Sequence, residues 1–271
     1  MNATTLDLFI ADRPATAIST AGSVAARTIR KFLRTPQLVV IESISTAMFL
    51  LIFRFVFGGA IDAGPVPYVD YLVPGFVTTT LLFAGGTAAA AVAEDLEAGF
   101  FDRLRWMPVS RSALLFGRAV ADTAVLTWGL AVTTLVGFLI GFRIHGSPGA
   151  ALAAFGLLVV FASAFVWVFV WMGLVAGNAR AAQGLSLLVF PVTFVSSALV
   201  PVQSMPGWLQ PIAEHQPMTA MVNAVRSLVL GGPSAAGLSH TSGYWVVISL
   251  TWAAGLIAVF APLARAKFRR S

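Results

Sequence analysis

The sequence contains no cysteine, and charged residues make up only 10 % of its 271 residues. Without cysteine, neither disulfides nor cysteine-ligated metal ions can hold the fold together. An ordinary soluble domain carries about 25 % charged and about 45–50 % apolar residues. This chain has less than half of that charged fraction, and 58 % of its residues are hydrophobic. One soluble core stops growing near about 250–300 residues and could not bury this much apolar surface. We therefore predict a membrane protein and exclude a soluble enzyme, a nucleic-acid-binding protein and a disordered chain.

The residue patterns of common enzymes are also missing. Neither of the two lysines, Lys31 and Lys267, is followed by serine or threonine, so the chain lacks the phosphate-binding loop of nucleotide hydrolases. The three histidines lie far apart, and no HExxH or GxSxG pattern occurs. We expect no catalytic residue, no metal site and no cofactor in this chain. If the chain moves something uphill, the energy comes from elsewhere.

Long apolar runs are the main feature of the sequence. A bilayer core requires about 20 apolar residues of helix, and six segments reach about that length. They are residues 38–57, 71–93, 113–140, 150–176, 185–202 and 244–263. Because these runs lack the alternation of barrel strands, the predicted fold is an all-α membrane protein with six transmembrane helices.

The distribution of basic residues predicts the orientation. If the N-terminus is cytoplasmic, the outside segments hold only Arg54, Arg143 and Arg226, and the other fourteen lysines and arginines lie inside. Cytoplasmic loops carry the excess of basic residues in membrane proteins. Both termini are therefore predicted to be cytoplasmic.

A basic amphipathic segment, residues 23–36, precedes the first span and follows an expected cytoplasmic tail over residues 1–22. Its basic residues recur three and four positions apart and so share one helical face. They are Arg27, Arg30, Lys31 and Arg34. We expect an in-plane helix with this face toward anionic headgroups. The alternative is a plain anchor whose positive charges only keep this end of the chain on the cytoplasmic side.

Polar and aromatic side chains inside the spans are candidates for a translocation pathway, since polar groups within a bilayer are costly. For the acid, a hydrogen bond between helices or an interfacial position is the alternative. For the hydroxyls the alternative is a hydrogen bond to a neighbouring backbone, and for the aromatics it is packing or contact with lipid. The predicted pathway residues are Glu42, Phe76, Thr79, Phe83, Phe194 and Ser197.

Two local patterns concern helix packing and charge pairing. Gly137 with Gly141, and Gly173 with Gly177, form GxxxG patterns that favour close helix packing. Asp122 lies near the inner end of the third span and is expected to pair with Arg118 one turn earlier.

The loop between the second and third spans, residues 94–112, is the most informative stretch. Acidic residues open it, arginines follow, and Phe101, Leu104 and Arg105 share a helical face before Pro108. A short amphipathic helix with this composition is suited to docking a soluble partner. The alternative is a solvated loop that carries orientation charge.

This loop resembles the signature E-x-G-T-L-E-x-L-x-x-T-P-V-S-R of ABC-2 type export permeases, although Phe100 and Met107 replace its usual threonines. The matching residues are Glu97, Gly99, Asp102, Leu104, Pro108, Val109, Ser110 and Arg111. Residues 203–242 resemble the family's extracellular segment through the pattern P-x-W-L-Q…P…R. The His-Gln-Pro sequence at 215–217 is most similar to the daunorubicin-resistance subgroup.

The resemblance implies a single six-span transmembrane domain over residues 37–271, in a bacterial plasma membrane. It implies two cytoplasmic ATPase subunits, which bind ATP and Mg, and a second permease copy, identical or paralogous. The cargo would be a hydrophobic drug, a lipid or a lipid-linked glycan. The residues expected to couple to the ATPase are Glu94, Glu97, Gly99, Phe101, Asp102, Arg103, Leu104, Arg105, Pro108 and Arg111.

Before the last span, Met205, Trp208 and Leu209 predict short interfacial or re-entrant helices that form an extracellular gate. Two other functions remain open from the residues alone. An ATP-independent secondary transporter or channel would show an inverted repeat, which is not obvious here. A membrane-embedded enzyme would need a nucleophile and base, or an acidic metal cluster, at one level of the membrane.

Overall fold

The computed structural model describes residues 17–61, 66–99, 111–233, 235 and 237–270. The regular elements within these ranges are all helical, and the α-helices are numbered here in chain order. They are α1 (Ala17–Leu33), α2 (Pro36–Ile52), α3 (Tyr68–Glu97), α4 (Arg111–Leu139), α5 (Pro148–Ala176), α6 (Ala179–Ser186), α7 (Phe190–Phe194), α8 (Gln210–His215), α9 (Pro217–Val229) and α10 (Ser242–Arg270). A π-helical turn, Phe53–Phe57, extends α2, and 3₁₀ turns lie at Leu187–Val189 and Val202–Ser204.

Helices α3 and α5 form the centre of the structure. Helix α3 contacts α4, α5, α6 and α9, and α5 contacts α4, α9 and α10 as well. Leu72 of α3 and Phe161 and Phe169 of α5 are fully buried, and the Phe169 ring lies against Gly85 of α3. Helix α10 packs on the outside of this pair, mainly against α5 and α9. The core therefore consists of apolar helix faces packed against each other.

Four predicted spans correspond to helices that are long and apolar enough to cross a membrane. In the described part of the chain these are α3, α4, α5 and α10. The first and fifth predicted spans correspond to shorter apolar helices, Ser43–Phe57 and Ala179–Phe194. The all-helical multi-pass architecture is confirmed, and the count of six spans stays a prediction.

The fifth predicted span, 185–202, is wrong in both of its limits. Its helical stretch begins at Ala179, and α7 ends at Phe194, after which the chain forms turns up to residue 200. Carbonyl groups at the end of α7 accept hydrogen bonds from a side chain there. The Gln216 side-chain amide donates to the carbonyls of Val192 (3.0 Å) and Val195. Capping of these last carbonyls from another segment ends the helix.

The basic helix begins earlier than predicted, at Ala17 instead of residue 23, and ends at Leu33. Pro36 then opens α2 as its first residue, a position that tolerates proline because no helical hydrogen bond is lost there. Helix α1 packs along α4. The approach is so close at Gly117 that an added Cβ would meet the carbonyl of Ala21. Helix α1 is thus part of the folded bundle.

Each GxxxG pattern divides into one packing glycine and one terminating glycine. A Cβ on Gly137 would lie 2.6 Å from Val73 Cγ1, and one on Gly173 would meet the carbonyl of Ala89. Gly141 and Gly177 instead have positive φ angles of 106° and 75°. Such a conformation favours glycine after a helix C-terminus. The close-packing prediction is therefore confirmed for Gly137 and Gly173 and wrong for the other two.

Gly173→Ala is expected to destabilise the protein by about 1–3 kcal/mol, as overpacking does in a close-packed core. The new methyl group would lie 2.9 Å from Val92 Cβ, besides the contact with Ala89. Gly156→Ala on the same helix is the matched control, because an added Cβ meets nothing within 4 Å there. Thermal unfolding in detergent measures both variants. Equal unfolding midpoints would contradict the close packing of α3 and α5.

Candidate functional site

The predicted coupling loop is described only at its two ends. Phe101, Asp102, Arg103, Leu104, Arg105 and Pro108 lie outside the described residues, as does the side chain of Arg111. Glu97 is the last residue of α3, and Gly99 has a φ of 62°. A glycine in this left-handed conformation ends a helix and turns the chain. The loop thus starts at the C-terminus of α3 and returns at the start of α4.

A buried ion cluster joins these two ends. Arg118 of α4 places Nη1 2.5 Å from Asp95 Oδ2 of α3 and Nε 2.7 Å from Asp122 Oδ2. The side chains of Arg118, Asp95 and Asp122 are 5 %, 9 % and 6 % exposed. The predicted pairing of Asp122 with Arg118 is confirmed. The part played by Asp95 was missed, because its partner lies 23 residues away in sequence.

Helix α1 reaches the same acidic end of α3. Arg27 Nη1 lies 3.7 Å from Asp95 Oδ1, and Lys31 Nζ lies 3.8 Å from Glu94 Oε2. We predicted this basic face to point at headgroups, and for Arg27 and Lys31 the structure shows carboxylate partners instead. Arg30 and Arg34 are exposed on α1. The side chains of Lys31 and Glu94 are more than half exposed, so their pairing contributes little stability.

The predicted pathway residues separate into a buried and an exposed group. Phe76, Thr79 and Ser197 are buried within the chain. Thr79 Oγ1 donates to Phe76 O at 2.8 Å, and Ser197 Oγ donates to Asn223 Oδ1 at 2.9 Å. Both hydroxyls thus make hydrogen bonds inside the described chain, Thr79 within its own helix and Ser197 to a side chain of α9. The side chain of Glu42, in α2, lies outside the described residues.

Phe83 and Phe194 lie on the surface together with a third aromatic residue. The ring centroid of Phe190 is 4.9 Å from that of Phe83 and 6.2 Å from that of Phe194, and all three rings are exposed. These rings form a continuous aromatic row from α3 to α7. Of the predicted pathway residues whose side chains the structure describes, Phe83 and Phe194 are therefore the ones placed to touch something outside this chain.

Arg226 is a buried arginine whose contacts the sequence did not predict. We counted it among the basic residues of the outside segments, and the structure places it on α9, 1 % exposed. Its guanidinium carbon is 3.6 Å from the ring centroid of Tyr71. Its Nη2 donates to the carbonyls of Tyr71 (3.0 Å), Ser197 (3.0 Å) and Ala198 (3.4 Å). Apolar positions around Arg226 in residues 217–230 were the signal available in the sequence.

The Arg226 contacts organise the turns after α7. The Tyr71 hydroxyl donates to Ser197 O at 2.8 Å, and Ser197 N donates to Thr219 Oγ1 at 3.2 Å. Carbonyls of an irregular, buried segment need partners, because an unpaired polar group is costly away from water. Helix α9 supplies Arg226 as one of those partners, and most of its residues are buried, so it is packed into the core of the described chain.

The predicted gate residues lie between the Val202–Ser204 turn and α8. Trp208 is 73 % exposed, whereas Met205 and Leu209 are half-buried. Gln210 Nε2 donates to Met205 O at 2.9 Å and holds this turn against α8. Elsewhere in the described ranges, no three acidic or histidine side chains come together to hold a metal ion.

Comparison with known proteins decides the family. A family model described as ABC-2 type transporter matches residues 21–230, from α1 through α9. The chain belongs to the ABC-2 type transporter family. The resemblance seen in the loop signature is thereby confirmed. Proteins of this ABC-2 family are membrane subunits of transporters and have no catalytic site of their own.

Among its ABC-2 relatives, the daunorubicin resistance ABC transporter permease protein DrrB1 of Streptomyces coeruleorubidus is 32 % identical over 262 residues. The match covers 95 % of this chain and 89 % of that protein. The probable doxorubicin resistance ABC transporter permease protein DrrC of Mycobacterium tuberculosis is 32 % identical over 213 residues, 74 % and 73 % of the two chains. The probable multidrug ABC transporter permease YbhR of Escherichia coli is 22 % identical over 198 residues, 72 % and 54 % of the two chains.

Proposed function

We propose that this ABC-2 protein is the permease subunit of an exporter that moves a hydrophobic drug or lipid-like cargo with ATP hydrolysed by a separate cytoplasmic ATPase. The observation that carries the proposal is the near full-length similarity to a permease named for daunorubicin resistance, together with a match over 74 % of the chain to one named for doxorubicin resistance. The two drugs in those names, daunorubicin and doxorubicin, are anthracyclines, which are hydrophobic and aromatic. A hydrophobic cargo, either a drug, a lipid or a lipid-linked glycan, is the class proposed here.

Six membrane spans with both termini cytoplasmic complete this proposal. The two shorter apolar helices, Ser43–Phe57 and Ala179–Phe194, would serve as the first and fifth spans. The K/R distribution, with Arg143 outside and the basic residues of α1 inside, supports this orientation. Arg226 does not count toward the outside charge, because it is buried in the protein. The location that follows is the plasma membrane of a bacterium.

The ATPase would dock on the loop that joins α3 and α4. Its sequence carries the family signature from Glu97 to Arg111, and both of its ends are joined by the Arg118 ion cluster. Two ATPases would bind two permease copies, with ATP and Mg held by the ATPases. ATP-driven movement can shift the spans only if the ATPase contacts differ between the inward and outward states.

A second permease copy would complete the pathway. The aromatic row of Phe83, Phe190 and Phe194 is exposed, and apolar side chains of α2 such as Met48 and Phe49 are exposed as well. Exposed aromatic surface of this kind contacts either lipid or another protein. We propose that the row lines a cargo path between two copies, where planar hydrophobic molecules would stack on it.

The decisive experiment is drug transport with and without an ATPase. The permease is reconstituted in proteoliposomes together with an ABC ATPase from the same genome, and doxorubicin movement is measured with ATP, with ADP and with a proton gradient. We expect movement only with the ATPase and ATP. The matched control is an ATPase variant that binds ATP without hydrolysing it. Transport driven by the proton gradient alone would favour the ATP-independent transporter instead.

A further inference from the structure

The ion cluster of Arg118, Asp95 and Asp122 lies where an apolar core would be expected. Asp122 falls eleven residues into α4, one of the helices long enough to cross a membrane. Charged groups at such positions are costly and mark functional sites by default. With Arg27 of α1, the cluster contains two carboxylates and two guanidinium groups, so its formal charges balance.

Stability alone does not explain the cluster. Replacing a buried ion triad by apolar residues of similar volume is often neutral or stabilising, whereas removing one partner is strongly destabilising. A sequence under selection for folding alone could therefore use leucine and methionine at these positions. The ionic version has a property that an apolar contact lacks, because it resists any sliding that separates the paired atoms.

The positions of the three groups show which elements would resist sliding. Asp95 is two residues before the end of α3, and Arg118 is seven residues after the start of α4. At about 1.5 Å of rise per residue, Arg118 lies about 10 Å beyond the returning end of the loop. Through the other oxygen of Asp95, Arg27 adds α1 to the same point. Three helices thus meet at one carboxylate beside the loop.

We propose that Arg118 is a positioning residue that locks the loop-side ends of α3 and α4 together, so that force on the intervening loop moves both helices as one unit. This inference rests on the proposed function of the loop as the ATPase dock. Without the lock, movement of the loop would be absorbed by sliding of α3 against α4. ATP hydrolysis would then continue while transport fell.

The test separates this role from a purely structural one. The triple variant Asp95→Leu, Arg118→Met and Asp122→Leu removes the ions while retaining a packed, apolar contact. Permease and ATPase are purified as the complete complex in proteoliposomes, and ATP hydrolysis and doxorubicin transport are measured together. We expect a folded complex that still hydrolyses ATP, with doxorubicin moved per ATP lowered about three- to thirtyfold. A triple variant that transports normally would overturn the proposal.

A second variant keeps the test informative if the triple variant does not fold. Arg118→Lys retains the charge but loses the fork that reaches Asp95 and Asp122 at once, and we expect its transport per ATP to fall while hydrolysis persists. An unchanged ratio in this variant would overturn the proposal. Thr127→Val, on the same helix, is the matched control, since its hydroxyl donates to Thr123 O of its own helix. Absence of ATP-driven transport in the unmodified complex would instead contradict the proposed function.

Discussion

Arg226→Met is expected to destabilise the protein by about 3–5 kcal/mol, the largest effect on folding among the changes considered. The guanidinium donates to three backbone carbonyls and stacks on Tyr71. A hydrogen bond from a charged group contributes about 1.5–3 kcal/mol, and a desolvated cation–π contact about 2 kcal/mol. Desolvation of the arginine offsets part of this sum.

Thermal unfolding in detergent measures the loss. A change of 1 kcal/mol shifts the midpoint by about 2–4 °C for a domain of 150–250 residues, so the midpoint of Arg226→Met should fall by roughly 6–20 °C. Arg180→Met is the control, since Arg180 is exposed and exposed substitutions change stability little. Arg226→Lys should lie between, because an ammonium group keeps the charge but loses the planar stacking. Equal midpoints for the two methionine variants would contradict the assigned contacts.

Asp102→Lys combined with Arg105→Glu is expected to abolish most export while leaving the permease folded. The two residues are three positions apart, so a helix places them on one face. Reversing both charges keeps the net charge of the loop but exchanges the positions of its negative and positive groups at the expected contact with the ATPase. Truncating one partner of a buried interfacial charge pair costs about 2–5 kcal/mol, and we expect at least about a tenfold loss of ATPase recovered with the permease.

Co-purification and drug transport measure this effect in parallel. The matched control is Arg143→Glu with Glu214→Lys, an equally charge-neutral exchange at two exposed positions of the predicted outer face. It should leave ATPase recovery and transport at the level of the unmodified protein. If the loop exchange also left both measurements unchanged, the loop would not be the ATPase dock.

Local features of the protein were predictable from the residues alone. Four long apolar runs became α3, α4, α5 and α10, because a bilayer-length stretch of apolar residues has few other stable conformations. The pairing of Arg118 with Asp122 was predictable too, since residues four apart on a helix are neighbours. The family signature in the loop also rests on adjacent residues and needed no tertiary information.

Features that depend on distant segments were predicted incompletely. The fifth helical stretch ends at Phe194 because Gln216, which lies between α8 and α9, caps its carbonyls. A glycine in a GxxxG pattern packs or terminates according to its backbone angle, which differs between Gly173 and Gly177. Neither the end of that helix nor the role of each glycine can be read from the neighbouring residues in the sequence.

The sequence alone indicated a helical membrane protein, through its scarcity of charge and its long apolar runs. The signature in the loop between α3 and α4 indicated the family. Which of the few charges are buried was decided only by the tertiary structure. Asp95 meets an arginine 23 residues away, and Arg226 meets carbonyls 28 to 155 residues away. Burial of a charge depends on partners that fold against it, and such partners are adjacent in space without being adjacent in sequence.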